Sequence, residues 1–95
     1  MIVLVVHYTV RPGTEDQAAE HIRNMQEHTR REPGCRLYFG HHSIDNPRRF
    51  LFYEQYDSRV ALEAHRAAPY FEQNIINGLA KLAENISREL FELVE

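Results

Sequence analysis

The chain has 95 residues, 43% of them apolar and 26% charged, a composition that suits one folded domain over residues 1–95 and excludes a disordered chain. A formal charge of −3, with arginines interleaved among aspartates and glutamates, offers no basic stripe for a phosphate backbone, so nucleic acid is not an expected partner. The longest apolar run, Met1 to Val6, falls far short of the roughly 20 residues of a bilayer span and has no basic segment before it. With one cysteine, Cys35, and so no internal disulfide, a cytoplasmic protein with no membrane partner is expected.

The opening segment Ile2 to Val10 is β-branched and apolar on both alternating faces, which predicts a central strand covered on two sides. Arg11-Pro12-Gly13 ends it. Thr14 and Gln17 have capping-box spacing, and Ala18, Ile22, Met25 and Thr29 recur at helical intervals, predicting a helix to about Arg31. After the Glu32-Pro33-Gly34 break, Cys35 to Ile44 and Arg49 to Tyr56 read as a hairpin of strands around Asp45-Asn46-Pro47-Arg48. A two-residue Asn46-Pro47 loop sets Phe39 opposite Glu54 and His41 opposite Phe52; a slip of one residue would exchange the faces.

Asp57 or Ser58 can cap a short helix that carries Ala61, Leu62 and His65 on one side. Pro69 suits the first turn of a longer helix with the stripe Phe71, Ile75, Leu79, Leu82 and Ile86, in which Gly78 is a weak point. The tail Ser87 to Val94 fits neither period cleanly and is assigned to a strand, because a β-α-β-β-α order alone leaves a sheet edge unpaired. The expected fold is α+β: a ferredoxin-like β-α-β-β-α-β domain with a four-stranded antiparallel sheet. Both helices would cover one face of that sheet, although the first strand is apolar on both. Two copies packed sheet to sheet, a homodimer with a closed α+β barrel core, would cover the second face and bury surface that a chain of this length otherwise leaves exposed.

His65 can exchange a proton near neutral pH, and Glu54 is a carboxylate set among aromatic residues in a strand expected to be buried, where a charge needs a partner. A structural histidine–glutamate pair would have the same sequence signature. The tyrosines and phenylalanines around them are most simply core, yet they also suit a slot for a planar ligand. The six histidines form no His-x-x-x-His pair or cluster at ligand spacing, so no metal is expected, and no glycine-rich phosphate loop is present.

Glu32-Pro33-Gly34-Cys35 followed by Tyr38, then Asn46-Pro47, Phe50 to Tyr56, Ala61 to His65, and Pro69-Tyr70-Phe71, taken in series, resemble the antibiotic biosynthesis monooxygenase domain family. The resemblance runs from the first strand to Phe71. It implies a dimeric α+β barrel and, for family members that are oxygenases, turnover of hydroquinones or polycyclic phenols with O₂ and without flavin, haem or metal. The family's Tyr-Glu-x-Trp/Tyr strand signature maps to Tyr53, Glu54 and Tyr56, and its helix histidine to His65. Tyr56 stands where many relatives have tryptophan, and Tyr70 where many have histidine.

On that reading a small aromatic substrate is deprotonated to an anion that reduces O₂. His65 is the base or anion partner, Glu54 orients or charges it, and Tyr56 is a hydrogen-bonding wall. Phe39, Phe52 and Phe71 are apolar lining, with His41 a second basic candidate. No cofactor is expected besides O₂ as co-substrate. The alternative is non-oxidative processing or plain binding of a small signalling or aromatic metabolite. A haem-degrading relative is disfavoured because Glu72 to Ala83 contains no histidine.

Overall fold

The computed structural model describes residues 1–95. Strand β1 (Ile2–Val10) is followed by helix α1 (Glu15–Thr29), strands β2 (Cys35–His42) and β3 (Arg49–Tyr56), helix α2 (Arg59–Arg66), helix α3 (69–82) and strand β4 (Ala83–Glu92). The strands form one antiparallel sheet in the order β2-β3-β1-β4, so β1 is central, as its two apolar faces predict. Leu4, Val6, Tyr8 and Val10 are buried on the helix-covered face, while Val3 and Val5 on the other face are half-buried and His7 is exposed. No helix is long and apolar enough to cross a membrane.

Helix α1 buries the four residues of the predicted stripe, Ala18, Ile22, Met25 and Thr29. Its start differs from expectation. Thr14 makes no capping bond to the helix, and its hydroxyl donates instead to the Arg11 carbonyl at 2.7 Å, so the turn is fastened backwards to the end of β1. Ser58 does cap α2, accepting from the Ala61 backbone N–H at 3.2 Å.

The β2–β3 register is one residue away from the expected one. Ser43 N–H donates to the Arg49 carbonyl at 2.8 Å, so the loop between them, Ile44 to Arg48, holds an odd number of residues where a two-residue turn would hold an even one. Side chain and backbone of the loop hold each other. Ser43 Oγ accepts from the N–H groups of Asp45 and Asn46, and Asn46 Oδ1 accepts from that of Arg48. Glu54 therefore lies opposite Tyr38, and Phe52 opposite Gly40, while Phe39 pairs with Tyr53 and His41 with Leu51. The faces are exchanged.

Helix α3 ends at Leu82, not beyond Ile86, and β4 begins at Ala83, four residues before the predicted Ser87. The tail pairs with β1 as far as Glu92, opposite Ile2, and Arg11 takes up the helix end: its N–H donates to the Leu82 carbonyl at 2.9 Å and its guanidinium to the Lys81 carbonyl at 2.7 Å. These bonds replace the ladder that a longer helix would have formed. Glu72–Leu79 is π-helical, a wider winding that buries the adjacent pairs Asn74-Ile75 and Gly78-Leu79. Gly78 is a point of close approach, since a Cβ there would lie 2.8 Å from the His21 ring. His21 and Asn24 of α1 donate to Asn74 Oδ1, which fixes the two helices beside each other.

Candidate active site

Between sheet and helices lies a narrow cavity of about 20 Å³, room for roughly one water. Its sheet wall comes from Leu4, Val6 and Tyr8 of β1, Tyr38 of β2, and Phe52 and Glu54 of β3. Its cover is His65 and Arg66 of α2 with Phe71 and Ile75 of α3, and the exposed Arg88 of β4 lies at one side. Alternation along three strands aims these side chains at one place, and α2 presents His65 there because Leu62, one turn earlier, is fully buried in the core.

The His65 imidazole is 2% exposed and sits among rings, with the centroids of Tyr38, Tyr56 and Phe71 at 5.5, 5.3 and 5.2 Å. Its two nitrogens face two carboxylates. Nδ1 lies 3.0 Å from Glu32 Oε2, and Nε2 lies 4.0 Å from Glu54 Oε1. A carboxylate oxygen only accepts, so Nδ1 carries the proton and Nε2 is left as the basic nitrogen. The Tyr70 hydroxyl donates to the same Glu32 oxygen, and the Tyr56 hydroxyl donates to Glu54 Oε1 at 2.6 Å.

The Glu32 contact depends on how the turn after α1 meets α2. A Cβ on Gly34 would come within 2.4 Å of the Ala61 methyl, so only glycine lets the Glu32-Pro33-Gly34 turn rest on α2, one helical turn before His65. The Asp57 N–H donates to the Gly34 carbonyl at 2.9 Å and ties the same turn to the end of β3.

Burial dominates the protonation of this group. Loss of solvent pushes the Glu54 carboxyl up from 4.5 to about 7, against the opposing pull of the Tyr56 hydrogen bond and of Arg66 and Arg88. Loss of solvent also lowers His65 below 6.5, although Glu32 favours the charged ring. Near pH 7 the imidazole is neutral and Glu54 is close to half protonated, an arrangement able to take or give one proton at the cavity wall. Burial pushes the Cys35 thiol up to about 11, which leaves it a poor nucleophile. No three His, Cys, Asp or Glu side chains converge as a metal would require.

The structure brings together His65, Glu54, Phe52 and Phe71 at the cavity. Tyr56 is fully buried behind Glu54 and contacts it without lining the cavity, so it is not the wall the sequence suggests. Phe39 and His41 do not belong to this site. The register change turns both to the opposite face, where Phe39 is 43% exposed beneath the Arg30 guanidinium and His41 Nδ1 donates to the Leu51 carbonyl at 3.2 Å. Sequence reasoning missed Glu32, Arg66 and Arg88, and took Tyr38 and Tyr70 only as aromatics that are core or slot, without a partner for either hydroxyl. Glu32 stands within the Glu32-Pro33-Gly34 motif, but its partner is 33 positions away and no local spacing connects them.

The sequence matches the family profile described as antibiotic biosynthesis monooxygenase over residues 1–75. "Putative monooxygenase Rv0793" of Mycobacterium tuberculosis is 31% identical over 87 residues, which make up 92% of this chain and 81% of that protein. The uncharacterized protein sll1783 of Synechocystis is 27% identical over 94 residues, 99% of this chain; the match covers 64% of that longer protein. In fold, a crystal structure of an antibiotic biosynthesis monooxygenase superposes with a TM-score of 0.93 over 100% of both chains, at 24% identity. The profile match over most of the chain and the relative at 31% identity establish that this chain belongs to the antibiotic biosynthesis monooxygenase family.

Proposed function

We propose that this protein is a cofactor-independent monooxygenase that oxidises a small aromatic hydroquinone or polycyclic phenol with O₂. The observation that carries the reading is the buried imidazole held between two carboxylates and facing an aromatic-walled cavity, with the Arg66 and Arg88 guanidiniums beside it. The phenol O–H gives its proton to His65 Nε2 or to ionised Glu54, and the arginines stabilise the resulting anion in a site with little room for water. The anion passes an electron to O₂ and the radical pair recombines at a ring carbon. Loss of water then leaves the ring carrying one new oxygen as a quinone. The electrons come from the substrate, so the balance needs no further reductant.

A cavity of about 20 Å³ cannot hold a ring, so part of its lining must move to admit one; Phe71 and Ile75 of that lining belong to α3. Ile75 lies in the π-helical segment, a winding frequent at functional sites. The open sheet face, with Val5, Leu51, Tyr53 and the exposed Phe39 and Phe91, supports a homodimer closed through a second copy of the chain.

Oxygen consumption by metal-free, cofactor-free protein against a panel of hydroquinones and polycyclic phenols tests the function. Uptake above autoxidation that falls by roughly 10²- to 10⁴-fold in His65→Ala, with boiled protein inert, is the expected result. Absence of uptake across the panel would overturn it in favour of non-oxidative processing or binding.

A further inference from the structure

The two carboxylates around His65 belong to different compartments. Glu54, with a side chain 4% exposed, and His65 line the narrow inner cavity. Glu32, 16% exposed, lines an open hollow of about 430 Å³ on the outer surface, with Pro33, Gly34, Ser58, Ala61 and Ala64. The imidazole is the partition between them, with one nitrogen turned to each side. We propose that Glu32 is the outer end of a proton path, Glu54–His65–Glu32, that connects the inner cavity with solvent in the surface hollow.

Each step of the path balances. A proton arriving at Nε2, from Glu54 or from a ligand hydroxyl, is matched by departure of the Nδ1 proton to the Glu32 carboxylate, which releases it to water in the hollow. His65 is left neutral in the other tautomer. A proton returning along the same path in the opposite direction resets it, so neither net charge nor tautomer accumulates over a cycle that removes a proton and later restores one. Glu54 Oε1 has to close the 4.0 Å gap to Nε2 for direct transfer, or a water or ligand oxygen in the cavity bridges it.

Other groups facing the path shape it without relaying a proton themselves. Tyr56 donates to Glu54, and Tyr38 packs against the imidazole with its hydroxyl held protonated by burial. The Arg66 and Arg88 guanidiniums only donate hydrogen bonds and accept no proton. Tyr70 is the positioning residue: its hydroxyl occupies Glu32 Oε2 and holds that oxygen at the imidazole. A histidine clamped by a carboxylate purely for stability would equally show a short Nδ1 contact, but it would not require that carboxylate to reach solvent or the other nitrogen to face a cavity.

The inference rests on the reading of the cavity as the reaction site, and its test is readable without turnover. Nitrogen-15 NMR of the intact protein reports which His65 nitrogen is protonated and how fast that proton exchanges with water. In wild type the proton should sit on Nδ1. Glu32→Gln, close in shape but unable to carry a proton, should slow its exchange by at least about tenfold, and Glu32→Asp should recover part of the rate. Tyr70→Phe, which keeps Glu32, should slow exchange in the same direction and decides the matter if Glu32→Gln does not fold. A wild-type proton on Nε2, or exchange unchanged in both Glu32→Gln and Tyr70→Phe, would overturn the proposal. Slowed exchange in a protein that consumes no oxygen with any phenol would leave the path standing and remove the oxygenase reading. Oxygen uptake with unchanged exchange would do the reverse.

Discussion

Tyr56 donates its phenolic proton to Glu54 Oε1 at 2.6 Å, and both side chains are shut away from water. The hydrogen bond favours the ionised carboxylate, yet burial outweighs it and Glu54 titrates near 7 instead of 4.5. In magnitude, a rise from 4.5 to about 7 corresponds to about 3 kcal/mol.

That difference fixes a sign. Between 4.5 and about 7 the folded protein holds a proton at Glu54 that the unfolded chain has released, so this group's contribution is fully present below 4.5 and is lost as pH rises through 7. His65 acts the other way. Its lowered affinity means that acidification below 6.5 favours the unfolded chain. Glu54→Gln keeps an acceptor for Tyr56 and removes only the first effect. Denaturant unfolding of both proteins between about pH 4 and 8.5 should show the variant gaining on wild type by about 3 kcal/mol, with the gain complete above about pH 8. A difference that does not change with pH would mean that Glu54 ionises normally in the fold.

The elements were legible where a period or a breaker was clean. The α1 stripe, the central place of β1 and a cap at Asp57 or Ser58 each follow from local chemistry, and each is found, the cap at Ser58. The start of β4 was not legible, because the tail is exposed on both faces and no alternation is imposed on it; the unpaired edge of β1 decides its structure. The hairpin register turned on the parity of one loop. Ser43 and Asn46 side-chain bonds set that parity, and the misreading carried Phe39 and His41 to the wrong face. At the site, His65 and Glu54 stood out as ionisable groups in apolar surroundings. Glu32 and Tyr70 did not, because their roles arise only when the turn after α1 folds onto α2 and α3.

The open face of the sheet yields a prediction about assembly. Val5 lies at its centre, opposite Tyr53 on one side and Glu89 on the other. Val5→Lys can pair with Glu89 in a single chain, but it places an ammonium in the middle of a surface that a second copy would cover, where a buried charge is costly. In sedimentation equilibrium the wild type should have twice the mass of the 11.2 kDa chain and the variant the mass of one chain, with unchanged far-UV circular dichroism. A wild-type protein that sediments as one chain, or a variant that remains dimeric, would refute closure through this face.

The seat of Glu32 can be probed through backbone contact alone, without altering an ionisable group. Gly34→Ala brings a methyl within 2.4 Å of the Ala61 methyl, and because neither the turn nor α2 carries a flexible tip at that point, one of them must shift. Overpacking of this kind costs about 1 to 3 kcal/mol. The shift also draws Glu32 away from His65, since Ala61 stands one helical turn before the histidine. Ala61→Gly alone should cost about 1 kcal/mol for glycine inside a helix. Combined, the two changes restore the missing space, so Gly34→Ala/Ala61→Gly should be more stable than the sum of the single costs allows, by about 0.5 to 3 kcal/mol. Equilibrium unfolding of the four proteins measures that coupling, and the His65 ring nitrogen signals should return toward wild type in the double variant. Simple additivity, with the ring signals unchanged throughout, would mean that Gly34 does not seat Glu32 against the imidazole.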